Sequence, residues 1–298
     1  MKRILIAGLI LFLTVSLSAQ TKKSKIKIFI SVDMEGITGV VDEGQLIPGN
    51  PEYELARKWM AEDVNAVIEG AVKGGASEII VNDAYGSMRN INPDDLNPRA
   101  VLISGWPKPM SMMQGIDSSF DACLFVGYHA MAGTRDAVLD STFSRSAVRS
   151  IKVNGTELPE LGVNAALAGI YGVPVVFISG DVAVCKQAKI VLGEEVVTAP
   201  VKDGITRYAA RLVPAVDARR AMRERAADAV RRAKQFKPFR LNSPYAFELE
   251  FFTPVQADRA VFVPQVTRKD ARTVSFSLDD FLQGFRLIQA LVTLVDAQ

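Results

Sequence analysis

Residues 26–36 constrain this chain more than any other stretch. Ile26-Lys27-Ile28-Phe29-Ile30-Ser31-Val32 is a β-branched and aromatic run, the composition of a strand buried on both faces. Such a strand needs cover on both sides, which points to a parallel sheet between layers rather than a sheet open to water. The run halts at Asp33 and Glu35, with Gly36 just after. Residues two apart on extended backbone project to one side, so both carboxylates can share a space while Met34 points away. Like charges that close are unfavourable unless a cation or a proton lies between them. Taken alone, the spacing fits two solvated carboxylates at a strand end as readily as half of a divalent-metal site.

The rest of the chain carries the same pattern forward. A helix is expected over 52–73, with Met60, Val64, Val67, Ile68 and Ala71 on one face and Gly74-Gly75 closing it. Strands follow over 77–81, 100–103 and 122–126, and Asn154-Gly155 marks a small hairpin after 146–153. A helix over 160–171, a strand over 173–178, a helix through Lys189 and a strand over 195–199 continue the alternation. Past Pro200 it loosens into a helix over 216–234, strands over 245–252 and 272–277, and a closing helix over 279–295. Arg219, Arg220, Arg223, Arg231 and Arg232 crowd one face of the first of these helices and read as a solvated basic face. The fold class expected is α/β, a mostly parallel, doubly wound-like sheet with a C-terminal α+β subdomain. Residues 26–200 form its metal-site domain and 201–298 the subdomain packed on it.

Residues 1–19 stand apart. Lys2 and Arg3 precede an apolar run over 4–15, and Ser16-Leu17-Ser18-Ala19 supplies small residues, the pattern of a signal peptide. The run is shorter than a spanning helix needs, so the expectation is an exported protein, periplasmic or secreted, with no membrane attachment after cleavage. Setting Lys2 and Arg3 aside, basic and acidic residues balance, which argues against nucleic acid as a partner. Cys123 and Cys185 lie in apolar surroundings, open to a disulfide or to two buried free thiols.

In open parallel sheets, ligands bind beyond the carboxyl ends of the strands. Those ends carry Asp33 and Glu35, then Asp83 and Tyr85, Ser104, His129, and Asp181. His129 is the single histidine of the chain, and a lone histidine is more often structural than ligating. Glu160 opens a helix after Pro159, where the helix dipole explains a carboxylate without any ligand. Asp33, Glu35, His129 and Glu160 nevertheless make an oxygen-rich, one-nitrogen set suited to zinc.

Four motifs occur in order: Ser31-Val32-Asp33-Met34-Glu35-Gly36, Val81-Asn82-Asp83, Gly127-Tyr128-His129-Ala130 and Glu160-Leu161-Gly162-Val163-Asn164-Ala165. Together they resemble the DppA-type D-aminopeptidases, the M55 metallopeptidases, from about Ile26 to the C-terminus. The resemblance implies a two-zinc hydrolase that releases N-terminal D-residues from short peptides such as D-Ala-D-Ala and assembles as a ring-shaped decamer. It implies that Asp33 bridges both metals and that His129 and Glu160 complete one site. Glu35 completes the other, with a histidine at the position that Tyr85 occupies here. A further catalytic histidine is expected where this chain has Ser141, in Asp140-Ser141-Thr142-Phe143-Ser144. A neutral phenol is a poor zinc ligand, so the Tyr85 site is expected to hold zinc weakly, with Asp83 or water in the gap.

The expected function is zinc-dependent hydrolysis of short peptides with N-terminal D-residues, with Glu35 and Ser141 as catalytic candidates and Asp33, Glu35, His129, Glu160 and Tyr85 as metal candidates. The alternatives are a non-catalytic envelope relative that binds such peptides and a mononuclear amide hydrolase.

Overall fold

The computed structural model describes residues 25–296, so the segment read as a signal peptide lies outside the described residues. The chain runs β1 (Ile26–Val32), α1 (Pro51–Gly74), β2 (Ala76–Asp83), β3 (Val101–Ile103), β4 (Ala122–Tyr128), β5 (Val148–Val153) and β6 (Thr156–Glu157). It continues through α2 (Glu160–Ile170), β7 (Val175–Asp181), α3 (Val182–Leu192), β8 (Val197–Thr206), β9 (Ala209–Leu212) and α4 (Ala215–Arg231). The last elements are β10 (Tyr245–Phe251), α5 (Pro254–Ala260), β11 (Thr267–Arg268), β12 (Thr273–Leu278) and α6 (Phe281–Asp296).

The larger sheet has the order β3-β2-β1-β4-β7-β8-β9. Its pairings are parallel except for β9, which folds back on β8. Strand β1 is buried on both faces, as its composition requires. Phe29 belongs to one core with β5, β10, α2 and α6, while Ile28, Ile30 and Val32 belong to a second core with α1 and α4. Helix α1 follows the expected face, with Met60, Val64, Val67, Ile68 and Ala71 all buried. Asn50 caps it by accepting from Glu52 N, and Gly75 ends it in the left-handed region.

From β1 the chain steps to β2 and β3 on one side, then returns to place β4 on the other. The β1–β4 boundary is therefore the switch point of the sheet, where a crevice opens beyond the strand ends. That order sets Asp33 beside the end of β4, which carries His129.

Two expectations differ from the fold. The boundary at residue 200 falls inside β8, and β9 and α4 beyond it belong to the larger sheet and its helical layer. The smaller sheet, β11-β12-β10-β5-β6, draws β5 and β6 from before that boundary. Strand pairing over such separations leaves no local trace in composition. The basic face of α4 is also not simply solvated. Arg219 donates to the buried Asp63 of α1 (3.0 Å) and pairs with Glu62 (2.5 Å), and Arg223 pairs with Glu69 (2.5 Å). Cys123 and Cys185 are buried free thiols, and burial pushes the Cys185 thiol up to about 12. Among the described residues no helix is long and apolar enough to cross a membrane.

Candidate metal centre

The tips of β1 and β4 approach so closely that glycine is required on both. Asp33 N donates to Val126 O and Gly36 N to Gly127 O, each at 2.8 Å. A Cβ on Gly36 would stand 2.0 Å from the Tyr128 carbonyl oxygen. Gly127 adopts φ +69°, and a Cβ there would meet the Asp33 carbonyl oxygen at 2.4 Å, so both backbone conformation and space exclude a side chain.

The loop that carries Glu35 is fastened from behind. Lys202 of β8, fully enclosed, donates from Nζ to the carbonyls of Glu35 (2.6 Å), Ile37 (3.0 Å) and Val40. Burial holds its ammonium down at about 8, against the raising effect of nearby carboxylates such as Asp181 and Asp63. Asp63 of α1 accepts from Thr38 N at 2.8 Å. Beneath the site, Tyr128 donates its hydroxyl to Ser31 Oγ, which donates to Met112 O, both at 2.8 Å. Asn82 Nδ2 also donates to Met112 O (2.7 Å), and Asn164 Nδ2 to the Tyr128 hydroxyl (3.2 Å). Four motif residues are thus a buried hydrogen-bond network that supports the site rather than parts of it.

Four side chains converge at the switch point. His129 Nε2 stands 3.3 Å from Asp33 Oδ2 and 3.6 Å from Glu160 Oε1. Ligand atoms of Asp33, Glu35 and His129 lie within 4.8 Å of one another, and all three residues are buried. The other imidazole nitrogen, Nδ1, lies 3.0 Å from the Ala130 carbonyl oxygen. Donation there leaves Nε2 with its lone pair toward the carboxylates, the tautomer that a ligating histidine needs. Phe143 N donates to Glu160 Oε2 and leaves Oε1 to the cluster.

The residues fit a small divalent cation. Asp33 Oδ2 and Glu35 Oε2 are buried with no hydrogen-bond partner among the described residues, a costly arrangement for charged oxygens unless a cation meets them. An ion bound at about 2.0–2.1 Å in a tetrahedron sets its ligands about 3.3 Å apart, close to the separations at His129 Nε2. Without a cation, burial and then the charge of Glu35 hold the Asp33 carboxyl well above the usual carboxylate range. Burial alone would depress the His129 imidazole, yet Glu160, Glu35 and Asp33 hold it well above its ordinary value. Burial is the main cause for Asp33, whereas the neighbouring carboxylates outweigh burial for His129.

Tyr85 and Ser141 line the cavity of about 640 Å³ that opens over this cluster. The Tyr85 hydroxyl accepts from Arg145 Nη2 at 3.3 Å. Burial, and then Glu35, raise the Tyr85 phenol, so it stays neutral across the physiological range. Asp83 does not fill the gap beside it, because its carboxylate faces away and accepts from Asn90 N (2.6 Å), Asn90 Nδ2 (2.7 Å) and Ile91 N (2.8 Å). Asp181 caps α3 through Val184 N (2.7 Å) and accepts from Val138 N (2.9 Å), and Ser104 donates to Met88 O (3.2 Å). These strand-end residues are structural. Arg145 and Lys202 also serve the site, and their only signal in the sequence is that a long cationic side chain must end somewhere.

Comparison with known proteins agrees with this geometry. The family model of peptidase family M55, D-aminopeptidase, matches residues 26–290. The chain is 35% identical over 269 residues to the D-aminopeptidase of Bacillus subtilis (strain 168), covering 90% of this chain and 97% of that one. It also superposes with a TM-score of 0.89 on the solved structure of the Zn-dependent D-aminopeptidase DppA from Bacillus subtilis, a self-compartmentalizing protease. That match has 34% identity and covers 92% of this chain and 99% of the other. With its motifs in order and their carboxylates and imidazole gathered at one strand-end crevice, this chain belongs to the M55 family of D-aminopeptidases.

Proposed function

We propose that this protein is a zinc-dependent aminopeptidase that removes N-terminal D-residues from short, D-Ala-D-Ala-like peptides and holds a second metal only weakly. One observation carries the reading: two unpartnered carboxylate oxygens, of Asp33 and Glu35, lie buried near His129 Nε2 in a member of this family.

Asp33, His129 and Glu160 are the residues that would hold the ion, and Glu35 with Tyr85 would border the weaker position. Bound there, zinc supplies Lewis-acid polarisation of the scissile carbonyl and makes water nucleophilic at neutral pH. Glu35 is the chain's own proton acceptor, since its Oε2 is buried and uncommitted. Tyr85, held neutral, serves as a hydrogen-bond donor rather than as a base. Ser141 adds a hydroxyl to the same wall, and His129 is fully engaged with the cluster, so no imidazole remains to activate it. Turnover is therefore expected to be slow.

The test is metal analysis of protein purified without chelators, alongside alanine release from D-Ala-D-Ala and from L-Ala-L-Ala. About one tightly bound zinc with release from the D-peptide supports the reading. Two tightly bound zincs with fast turnover would remove the weakened site from it. The occupation of two histidine positions by Tyr85 and Ser141 favours a second reading, a non-catalytic peptide binder, and absence of both zinc and alanine release would leave that one. One zinc with cleavage of other amides alone would point to a mononuclear amide hydrolase.

The assembly and the address of the protein belong to the same proposal. A homo-oligomer, a ring-shaped decamer, is supported by the self-compartmentalizing relative and by exposed Trp106, Ile190, Val216 and Phe262; light scattering measures its mass. Export to the periplasm or beyond is supported by Lys2, Arg3 and the apolar run behind them. N-terminal sequencing of the mature protein checks for cleavage near Ala19.

A further inference from the structure

The cavity over the cluster has a second set of polar groups that the hydrolytic reading leaves idle. Arg145 lines it and forms no ion pair among the described residues. Its Nη2 is engaged by the Tyr85 hydroxyl, whereas its Nη1 is buried with no hydrogen-bond partner among the described residues. Gln289 of α6 lines the same cavity, and its Nε2 is likewise buried and unpartnered. Asp296, also on this cavity, accepts from Ser146 Oγ at 2.8 Å. A buried donor without an acceptor is destabilising, more so when it is charged, so two in one cavity call for an acceptor from outside the chain.

The two sets of groups have opposite sign. Asp33, Glu35 and Glu160 cluster around His129, a set for a cation and for a polarised carbonyl. The unpartnered atoms of Arg145 and Gln289 are both donors, Nη1 and Nε2, and beside a guanidinium they favour a carboxylate over an ammonium. A zwitterionic short peptide has this polarity along its own length. We propose that Arg145, assisted by Gln289, receives the free C-terminal carboxylate of the substrate, which makes the enzyme selective for peptides that end inside the cavity. Extending such a peptide, or amidating its C-terminus, removes the anion that Arg145 meets. The proposal rests on the hydrolytic reading only for the placement of the scissile bond.

The experiment compares two non-cleavable probes on the zinc-loaded protein by isothermal titration calorimetry. One is D-Ala-D-Ala with its peptide bond reduced to CH2–NH and a free carboxylate; the other is its C-terminal amide. The acid is expected to bind about tenfold to hundredfold more tightly than the amide, the range set by a hydrogen-bonded charge. Arg145→Leu should erase that preference with zinc content unchanged, Arg145→Lys should keep part of it, and Gln289→Leu should reduce it. Equal affinities in the wild type, or a preference that survives both Arg145→Leu and Gln289→Leu, would overturn the assignment. Hydrolysis of D-Ala-D-Ala by the same proteins reads the catalytic proposal separately. Loss of turnover to the same extent on the acid and on its amide in Arg145→Leu, with no wild-type preference in binding, would place the guanidinium on the reacting carbonyl instead. A binding preference in a protein that hydrolyses nothing would retain the anchor and sink the hydrolase.

Discussion

Replacing Gly36 by alanine tests whether the close approach of two strand tips makes the metal centre. The new Cβ would lie 2.0 Å from the Tyr128 carbonyl oxygen and 2.6 Å from the Gly127 carbonyl carbon. Non-bonded heavy atoms rest at about 3.3 Å or more, so the tips of β1 and β4 must part by more than about 1 Å, since both obstacles are backbone. His129 Nε2 and Asp33 Oδ2, now 3.3 Å apart, would separate toward roughly 4.5 Å, beyond the about 4.2 Å that one ion with bonds near 2.1 Å can span. The expected outcome is a stability loss of about 1–3 kcal/mol from overpacking. Zinc affinity should fall at least about 10- to 100-fold, the range for disturbed supporting contacts. Competition with a chromophoric chelator measures the affinity, and calorimetry measures the melting temperature. Gly70→Ala is the control, because its Cβ would meet the Arg223 carbonyl at 2.3 Å between α1 and α4, away from the site. It should destabilise without changing zinc affinity. If Gly36→Ala holds zinc as the wild type does, strand-tip packing is not what sets the ligand spacing.

Three more outcomes are expected. Tyr85→His combined with Ser141→His should raise both zinc content and D-Ala-D-Ala turnover; unchanged stoichiometry by metal analysis would show that those positions do not limit the second site. Lys202→Met strands the carbonyls of Glu35, Ile37 and Val40 and should cost about 2–5 kcal/mol, read as a lowered melting temperature; a variant as stable as the wild type would dismiss Lys202 as the fastening. Lys108 donates to Asn82 Oδ1 and Asp83 O, and burial, countered by Asp83, holds its ammonium down at about 8. Above that pH the folded chain has released this proton while the unfolded chain keeps it until its ordinary range. Lys108 therefore contributes stability that rises with pH across that window. The melting temperature of the wild type relative to Lys108→Met should climb between about pH 7 and about pH 10, and a falling difference would reverse the assigned shift.

The core of the site was legible because each ligand sits where a strand or helix changes character. A hydrophobic run ending at Asp33 and Glu35, a second ending next to His129, and a helix opening at Glu160 are local facts. The same rule also nominated Asp83, Ser104 and Asp181, which serve a turn, a loop and a cap. Whether a strand-end carboxylate faces the crevice or its own backbone is decided by loop residues such as Asn90 and Ile91, and composition does not announce that. Arg145 and Lys202 were illegible for a related reason: several rotatable bonds separate the charge from the backbone position that the pattern fixes. The pairing of β5 with β10 joins residues nearly a hundred positions apart, and β8 runs past Pro200 because its far end pairs with β9, so composition around residue 200 carries no trace of either pairing. Arg219 and Arg223 of α4 looked solvated because their acceptors, Glu62, Asp63 and Glu69, lie on another helix.

The ammonium of Lys202 gives the crevice a scaffold that is independent of its guest. Three carbonyls of the Glu35 loop converge on it much as they would on a bound alkali ion, yet this cation is covalently tethered and does not exchange. Stripping zinc with a chelator is therefore expected to leave the loop in its working shape. Reloading requires only desolvation and proton release, with little conformational entropy left to surrender.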